Sequence, residues 1–407
     1  MSENKYLLTG DAFKANPFPT FAKMRKEDPI YRVETGGYPS ILWVVTNHEY
    51  SDAILRDHNR FVKQWRNTLS PEERAKLPPD PLPVQMMNNH MLNSDGSDHT
   101  RLRTLVNKAF SGNIIAQQRE RVQTIANQLL DQVEAAGKMD LIDEYAFPIP
   151  IVVICDLLGI PHQDRDKFRA WSNAFLTEAR SEEEWQEQVK FLQGMLDYLG
   201  AIFAQRRAQP QNDLITRLVQ AEENGDHLSE TELYSMVVLL IVAGHETTVN
   251  LIGNGTLALL HHPDQLAKLR ANPALIESAV EELLRYDGPV ETATIRFAAE
   301  DVEIGGKLIH KGEAVNVTVT SANHDESRYA HADTVDIERQ NNRHLAFGMG
   351  VHYCVGAPLA RMEGQIALNT LIQRLPNLQL AVPVEELQWS NTVVVRGMKH
   401  MPVVWSP

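Results

Sequence analysis

The chain has 407 residues, of which 43% are hydrophobic and 23% are charged, and its formal net charge at pH 7 is −14. This composition is typical of a globular protein that can enclose a pocket, and not of a disordered one. The negative charge disfavours nucleic acid and anionic membranes as partners, and we expect neither.

The sequence also predicts a cytoplasmic location. Residues 1–19 contain few apolar side chains and lack the apolar core of a signal peptide. The most apolar long segment, residues 233–260, is interrupted by glycine, histidine, glutamate and asparagine, which a lipid-facing helix tolerates poorly. Cys155 and Cys354 are too few for a disulfide framework, which fits a reducing compartment.

The amino-terminal part is predicted to form a small sheet followed by a lid. Gly36 and Gly37 separate two apolar segments within residues 29–46, a pattern typical of a hairpin, and we expect residues from about 30 to 60 to be β-rich. A polar, proline-rich stretch follows, from about residue 61 to 97, and predicts a long loop or lid.

Helical spacing dominates the middle of the chain, from about residue 100 to 286. Within it, Cys155 lies in an apolar run and is interpreted as a small buried hydrophobic residue. Ser229 and Glu232 have the spacing of a capping box ahead of the apolar residues 233–261. They predict a helix of roughly 30 residues, about 45 Å long, that runs through the core.

The carboxyl-terminal part combines both types of element. β-like segments are predicted at about residues 290–320, 378–382 and 392–395, and a helix at about residues 357–375. The predicted fold is therefore mainly α with smaller β-sheets, and we expect residues 1–407 to form a single domain.

Cys354 differs from Cys155 in its neighbours. Residues 347–356 read FGMGVHYCVG and precede a predicted helix, so the thiol lies at a helix amino terminus, which stabilises the metal-binding thiolate. Glycines at positions 348, 350 and 356 would let a flat ligand such as haem approach the backbone. A cysteine followed two residues later by a glycine is common by chance, but the longer string is far more selective.

The string matches the cysteine-ligand loop of cytochrome P450s at its four specified positions, which are Phe347, Gly350, Cys354 and Gly356. The chain as a whole resembles a soluble bacterial cytochrome P450, most like the members that tailor polyketides and macrolides. The resemblance implies the cytochrome P450 fold, with haem b (iron protoporphyrin IX) between the long helix and this loop. It makes Cys354 the axial ligand of the haem iron. Further haem contacts are implied at Phe347, Gly348 and Gly356.

Residues 243–248 read AGHETT, in the middle of the predicted long helix. Glycine, paired threonines and an acid are poor choices for a buried helix centre, since they cost helix propensity and desolvation. A hydrated kink is one explanation. The resemblance implies another, in which Glu246 and Thr247 form a catalytic acid–alcohol pair that relays protons and hydrogen-bonds dioxygen or water. Ala243 and Gly244 would then contact the haem.

The resemblance also gives roles to basic residues and to an E-x-x-R pair. The expected contacts to the haem propionates are His99, Arg103, Arg296 and His344. Without the resemblance, each of these would be interpreted as a surface residue. A buried structural network is implied for Glu282, Arg285 and Arg339, although isolated E-x-x-R pairs are usually solvated.

The substrate pocket is predicted to be lined in part by Val290, Glu291, Thr294 and Val393. The carboxylate of Glu291 is expected either to contact an amine or hydroxyl of the substrate or to point to solvent. Pocket loops vary freely within such folds, so the sequence does not identify the substrate.

The implied activity is that of a monooxygenase, which uses dioxygen and two electrons to hydroxylate or epoxidise a hydrophobic small molecule, here a polyketide-type natural product. The chain has no G-x-G-x-x-G after a strand and no flavin domain, so a separate ferredoxin or flavodoxin with its reductase is the expected donor. We expect this partner to dock near Arg343, His352 and Arg361. One alternative is a hydrogen-peroxide-driven peroxygenase, against which the Glu246–Thr247 pair argues. Another is a non-catalytic haem ligand-binding or sensor protein.

Overall fold

A computed structural model describes residues 5–110, 112–164, 167–168, 170–171, 181–223, 225–392 and 394–406. Helices account for most of the regular structure in these residues, and the strands form small sheets. The predicted fold, mainly α with smaller β-sheets, is therefore confirmed.

The α-helices of the described residues are α1 Asp11–Ala15, α2 Phe18–Glu27, α3 His48–Arg56, α4 Pro71–Ala75, α5 Leu82–Asn88, α6 Gly96–Ala109, α7 Gly112–Ala116, α8 Arg119–Val133, α9 Pro148–Leu158, α10 Glu182–Ala208, α11 Leu214–Gln220, α12 Glu230–His261, α13 Pro263–Ala271, α14 Ile276–Asp287, α15 Val319–Asn323 and α16 Ala357–Arg374. The β-strands are β1 Ile30–Glu34, β2 Ile41–Val45, β3 Phe61–Val62, β4 Lys138–Asp140, β5 Glu222–Glu223, β6 Asp226–His227, β7 Arg296–Ala298, β8 Val302–Ile304, β9 Lys307–Ile309, β10 Ala314–Val317, β11 Gln379–Leu380 and β12 Pro402–Val404.

The chain groups into two compact units, each of them discontinuous in sequence. The larger unit comprises Met1–Leu77, Gln123–Ala146 and Thr247–Pro407, and the smaller unit comprises Pro78–Val122 and Phe147–Glu246. The long helix α12 contributes residues to each of them. The single domain expected over residues 1–407 remains a prediction.

The main sheet of the larger unit has the strand order β1-β2-β10-β7-β3. The predicted hairpin is confirmed, because β1 and β2 pair antiparallel with Ile30 opposite Val45. β10 runs parallel to β2, with Ala314 opposite Leu42, and antiparallel to β7. Apolar side chains such as Ile30, Val45 and Phe61 leave water here and form the core that holds the sheet.

A second sheet of the larger unit has the order β11-β12-β4. The strand predicted at residues 392–395 is wrong for the described part of that stretch, in which Val395 makes an isolated β-bridge to Val290. β-branched side chains favour a strand, but a strand also needs a continuous partner edge. The terminal strand is β12 instead, where Val403 lies opposite Met139 of β4.

The segment predicted as a loop or lid, residues 61–97, contains short helices. At α4 the hydroxyl of Ser70 accepts the N–H of Glu73, and the Glu73 carboxylate accepts the N–H of Ser70. The loop prediction is wrong there because proline, which punctuates loops, also suits the first turn of a helix, and Pro71 opens α4.

The smaller unit consists mainly of helices, with one two-stranded ribbon of β5 and β6 among its described residues. The apolar run on α9 is buried, and Cys155 within it is buried as predicted. Asp213 caps α11 by accepting the N–H of Thr216, and it forms a buried ion pair with Arg206 of α10. The cap and the ion pair therefore fix the turn between α10 and α11.

The predicted long helix is α12, which spans 32 residues. At its start the Ser229 N–H donates to the Glu232 carboxylate at 2.8 Å, and the Glu232 N–H donates to Ser229 Oγ at 3.4 Å, so the capping box is confirmed. By length and composition alone this helix could cross a membrane, but 67% of its most apolar window is buried inside the protein, as in a core helix.

Candidate active site

The cysteine-ligand loop, residues 347–356, lies in the larger unit and leads into α16. The N–H of Cys354 donates to the Phe347 carbonyl at 3.0 Å, and the N–H of Ala357 donates to the Cys354 carbonyl at 3.4 Å. These bonds close the loop so that the cysteine precedes the first turn of an 18-residue helix. The positive end of the helix favours the thiolate over the thiol.

Two positions of this loop need glycine. Gly348 and Gly350 have φ values of +68° and +73°, in the left-handed region. At Gly350 an added Cβ would also lie 2.8 Å from the carbonyl oxygen of Leu55, at the end of α3. A residue larger than glycine would therefore strain the backbone at both positions, and at position 350 it would also collide with the end of α3.

The donor chemistry of the loop fits the predicted haem. Cys354 is exposed, whereas Cys155 is buried. An exposed thiol at a helix amino terminus, on a loop with glycines at positions 348, 350 and 356, suits a flat ligand that carries a metal ion. Cys354 is thus the residue that could ligate the iron.

Arg361 of α16 supports this loop from the side. Its guanidinium carbon lies 4.4 Å from the ring centroid of Phe347, and it donates to the Tyr353 hydroxyl at 3.0 Å. It also makes a bidentate pair with Glu281 of α14, at 2.7 and 2.9 Å. Because Glu281 matches its charge, Arg361 is a weaker docking cation for a redox partner than the sequence suggests, while Arg343 is exposed.

His344 does not have the surroundings expected of a propionate contact. Its Nε2 lies 3.1 Å from Glu281, and its Nδ1 accepts the N–H of Ala346 at 3.2 Å. Burial by itself would raise the pKa of Glu281, but hydrogen bonds from His344 and Arg361 and their charges lower it to about 2. Both ring nitrogens of His344 are engaged, so no ring N–H is left for a propionate.

Arg296 and Lys63 converge on the same short stretch of the larger unit. Arg296 is buried and donates to the Thr294 carbonyl at 3.2 Å, while Lys63 Nζ lies 2.6 Å from Thr294 Oγ1 and 2.6 Å from the Ile295 carbonyl. The two cations are neighbours because β3, which ends just before Lys63, pairs with β7. Sequence reasoning missed Lys63, since a lysine directly after two apolar residues also fits an exposed strand end.

The other two predicted propionate contacts belong to the smaller unit. His99 and Arg103 lie four residues apart on α6 and therefore on one face of it. His99 is buried and Arg103 is half-buried. Arg101, between them, is hydrogen-bonded to Glu232 in the first turn of α12. This bond orients α6 within the smaller unit.

The smaller unit also holds the first part of the AGHETT segment. α12 stays helical through residues 243–248, so the AGHETT segment does not interrupt the helix, and the hydrated kink stays an alternative. Ala243 is exposed and Gly244 is half-buried, although Ile241 and His245 beside them are buried. The helix is thus open on one face at the two predicted haem contacts.

His245 turns into the core of the smaller unit, where its Nδ1 lies 3.0 Å from the Ile241 carbonyl and its ring packs edge-on against Phe147. Burial lowers the pKa of His245, so the imidazole is neutral near pH 7. The side chain of Glu246 is 26% exposed, and its carboxylate lies 3.8 Å from His245 Nε2, too far for a hydrogen bond. Glu246 therefore keeps contact with water, as a proton relay requires.

In the larger unit, Thr247 is half-buried and Thr248 is buried against Glu363 of α16. Burial raises the pKa of Glu363 to about 8, against a smaller lowering by the hydrogen bond with Thr248. One Glu363 oxygen has no hydrogen-bond partner among the described residues. Sequence reasoning missed this acid, whose signal was its place between Leu359 and Ala367 on a buried helix face.

The E-x-x-R residues lie together in the larger unit. Arg285 donates to Glu282 at 2.9 and 2.8 Å, and Arg339 Nε lies 3.1 and 3.0 Å from its two oxygens. The N–H of Asp336 and the side-chain amide of Asn342 also donate to Glu282. Arg285 donates further to the backbone carbonyls of residues 323, 332 and 334. This arrangement suits the structural role that the resemblance implies.

The predicted pocket residues have different surroundings. Val290 and Thr294 are half-buried, and Val393 lies outside the described residues. Glu291 is buried, and its Oε1 lies 2.8 Å from Nζ of Lys14. The alternative in which Glu291 points to solvent is therefore wrong, because a lysine and not water accompanies the carboxylate. A contact between Glu291 and the substrate stays a prediction.

A cavity of about 360 Å³ lies in the smaller unit, between the turn after α9 and the end of α10. Its lining includes Asp164, Tyr198 and Arg206 and none of the predicted site residues. Asp164 is already bonded to Tyr198, and Arg206 to Asp213, so the polar groups of this cavity serve the local structure.

The chain is similar to cytochrome P450s in both sequence and structure. Residues 162–385 match the family model described as Cytochrome P450. The polyketide biosynthesis cytochrome P450 PksS of Bacillus subtilis is 42% identical over 97% of this chain and 97% of that protein. Cytochrome P450 monooxygenase PikC of Streptomyces venezuelae is 43% identical over 97% and 92%. The solved structure of B. subtilis PksS matches with a TM-score of 0.91 at 40% identity, over 99% of this chain and 100% of that one.

Proposed function

The chain belongs to the cytochrome P450 family, and on that premise we propose the cofactor, electron source, substrate class and location with which this monooxygenase works. The cytochrome P450 fold predicted from the sequence is confirmed. The proposed cofactor is haem b, whose iron Cys354 would ligate. One observation carries this proposal: the Cys354 thiol is exposed at the start of α16.

We propose that Arg296, Lys63, His99 and Arg103 contact the haem propionates. Arg296 and Lys63 are supported by their convergence on residues 294–295, and His99 and Arg103 by their shared face of α6. His344 is no longer favoured, because Glu281 and Ala346 occupy its nitrogens.

Glu246 and Thr247 are proposed to deliver protons. A thiolate-ligated haem supplies the reductive activation of dioxygen when it is bound. Glu246 can take a proton from water, because part of its carboxylate is exposed, and pass it on towards Thr247 Oγ1. Thr247 can hold a water molecule or dioxygen by a hydrogen bond from that hydroxyl. The neutral His245 beside them does not compete for the proton near pH 7.

The proposed reaction is the hydroxylation or epoxidation of a hydrophobic, polyketide-type natural product in the cytoplasm. The polyketide class is supported by the relative named for polyketide biosynthesis. Two electrons per turnover are proposed to come from a separate ferredoxin or flavodoxin with its reductase. The exposed Arg343 and the loop residue His352 are the proposed docking cations, because Arg361 is matched by Glu281.

The first test is the absorption spectrum of the dithionite-reduced protein under carbon monoxide, recorded for the wild type and for Cys354→Ser. The proposal expects the strongly red-shifted Soret band of a thiolate-ligated adduct, and its loss in the variant. Cys155→Ser is the matched control and should leave the band in place, because that thiol is buried in the smaller unit. An imidazole-type band in the wild type would contradict the proposed ligand.

A second test separates the monooxygenase from a peroxygenase and from a sensor. Oxygen consumption is followed with a ferredoxin, its reductase and NADPH while candidate polyketides are added, for the wild type and Thr247→Ala. A monooxygenase couples substrate addition to product, and Thr247→Ala diverts reducing equivalents away from product. Turnover that needs only hydrogen peroxide and is indifferent to Thr247 would support the peroxygenase instead.

A further inference from the structure

Lys14, on the short amino-terminal helix α1, is buried. Only 4% of its side chain is exposed, and its Nζ lies 2.8 Å from Oε1 of Glu291, whose side chain is equally buried. Lysine is seldom buried without a specific partner, because desolvation of its charge is costly. This ion pair joins residues 277 positions apart in the sequence.

A second buried ion pair, between Arg396 and Asp287, also contacts helix α1. The carbonyl of Lys14 accepts a hydrogen bond from the guanidinium of Arg396, and Arg396 Nε lies 2.8 Å from Oδ1 of Asp287. Arg396 also stacks on Trp389, with its guanidinium carbon 3.8 Å from the ring centroid. We call the four charged residues Lys14, Glu291, Asp287 and Arg396 the anchor.

The anchor holds two segments that pair with each other, residues 289–295 and 394–396, which we call the loop pair. The N–H of Glu291 donates to the Val394 carbonyl at 2.9 Å, and the N–H of Arg396 donates to the Pro289 carbonyl at 2.8 Å. The loop pair also carries exposed apolar side chains, Ile295 at 36% and Val394 at 42% exposure. The loop pair therefore contains both buried charged residues of the anchor and exposed apolar side chains.

The anchor is not an efficient way to stabilise a fold. Replacing a buried ion pair with apolar residues of similar size is often neutral or stabilising, because desolvation offsets the attraction between the charges. Here the second oxygen of Glu291 is buried and has no hydrogen-bond partner among the described residues. What a charged pair does supply is a defined geometry, since it tolerates few relative positions of the two backbones.

We propose that Lys14 is a positioning residue for substrate selection, which through Glu291 and Arg396 sets where the loop pair presents Ile295 and Val394. This inference rests on the proposed function and on the prediction that Val290, Glu291 and Thr294 of the loop pair line the substrate pocket. It extends that function to the amino-terminal helix, which contains none of the predicted pocket residues. Lys14 acts through the loop pair and not by touching the substrate.

The test uses haem-loaded protein and two ligands of the iron, imidazole and 4-phenylimidazole, titrated by the Soret shift. Lys14→Met/Glu291→Gln removes both charges without leaving one of them alone. We expect the dissociation constant of imidazole to stay within about twofold, while that of 4-phenylimidazole changes about tenfold, roughly the effect of one misplaced methylene. An unchanged ratio of the two constants overturns the proposal.

The matched control is Arg206→Met/Asp213→Asn, which removes an equally buried ion pair from the smaller unit and keeps an acceptor at the cap of α11. In this control variant, the ratio of the dissociation constants of imidazole and 4-phenylimidazole should equal that of the wild type. A similar shift in this control would mean that any lost ion pair loosens the pocket, and it would overturn the specific role of Lys14.

Hydrogen exchange gives a second readout that does not depend on haem. In Lys14→Met the amides of Glu291 and Arg396 should exchange about tenfold faster, as expected where local opening becomes easier. If the double variant does not load haem, Lys14→Arg replaces it in the titration, and the 4-phenylimidazole constant should still move. Faster exchange with an unchanged ratio would show a purely structural role and would also overturn the proposal. A wild type that binds neither imidazole refutes the proposed function itself.

Discussion

Glu282 and Glu363 are both completely buried carboxyl groups of the larger unit, but their surroundings differ in kind. Glu282 accepts hydrogen bonds from two guanidinium groups, a backbone N–H and a side-chain amide. Glu363 has the Thr248 hydroxyl, and one of its oxygens has no partner among the described residues. Burial alone therefore does not determine whether a carboxyl group keeps its hydrogen bonds; the donors that replace water determine it.

The largest loss of stability is expected at Glu282, which accepts hydrogen bonds from more donors than Glu363 does. Arg285→Leu leaves the Glu282 carboxylate buried with one of its two guanidinium partners removed, and we expect it to cost about 3–5 kcal/mol of unfolding free energy. Urea unfolding followed by circular dichroism measures it. Lys268→Ala, which breaks the exposed pair with Glu338, is the control and should be close to the wild type. Equal losses in the two variants would remove the contrast between buried and exposed pairs.

The next largest effect concerns Glu363 and depends on pH. The folded-state pKa of about 8 lies above the unfolded value of about 4.3, so the wild type loses stability relative to Glu363→Gln as pH rises between those values. We expect similar unfolding free energies near pH 5 and an advantage for the variant on the order of 3 kcal/mol at pH 8. Unfolding curves at both pH values measure the difference. If the difference in unfolding free energy between the wild type and Glu363→Gln does not change with pH, Glu363 is ionised in the folded protein.

Glu281 should show a smaller effect of opposite sign. Its pKa is lowered to about 2, so its stabilisation is present above the unfolded value of about 4.3 and is lost as pH falls towards 2. Because part of this side chain is exposed, we expect Glu281→Gln to cost only about 1–2 kcal/mol at pH 7. The same unfolding curves, extended to acid pH, measure it. Glu277→Gln, at an exposed position of the same helix, is the control and should unfold like the wild type at pH 7.

The features that the sequence predicts well are each formed by a contiguous stretch of the chain. The capping box at Ser229, the hairpin around Gly36 and the cysteine-ligand loop are each encoded within a few neighbouring residues, so their patterns are visible in the chain itself. Local propensity and spacing suffice for such features.

What could not be predicted joins distant parts of the chain. The Lys14–Glu291 pair and the approach of Lys63 to Thr294 arise only when distant segments of the chain pack together, and neither leaves a periodic signal in the sequence. The contact of His344 with Glu281 could not be predicted for the same reason, because the two residues lie 63 positions apart. Long-range polar partners depend on tertiary contacts that single-sequence reasoning does not contain.

The parallel pairing of β2 with β10 also constrains how the protein is made. Leu42 meets Ala314, so the hairpin of β1 and β2 emerges from the ribosome roughly 270 residues before its neighbour. At translation rates of about 5–20 residues per second, that edge stays unpaired for about 15–50 seconds. An open strand edge invites pairing with other nascent chains, so the yield of soluble protein should depend on how well chaperones shield this hairpin during synthesis.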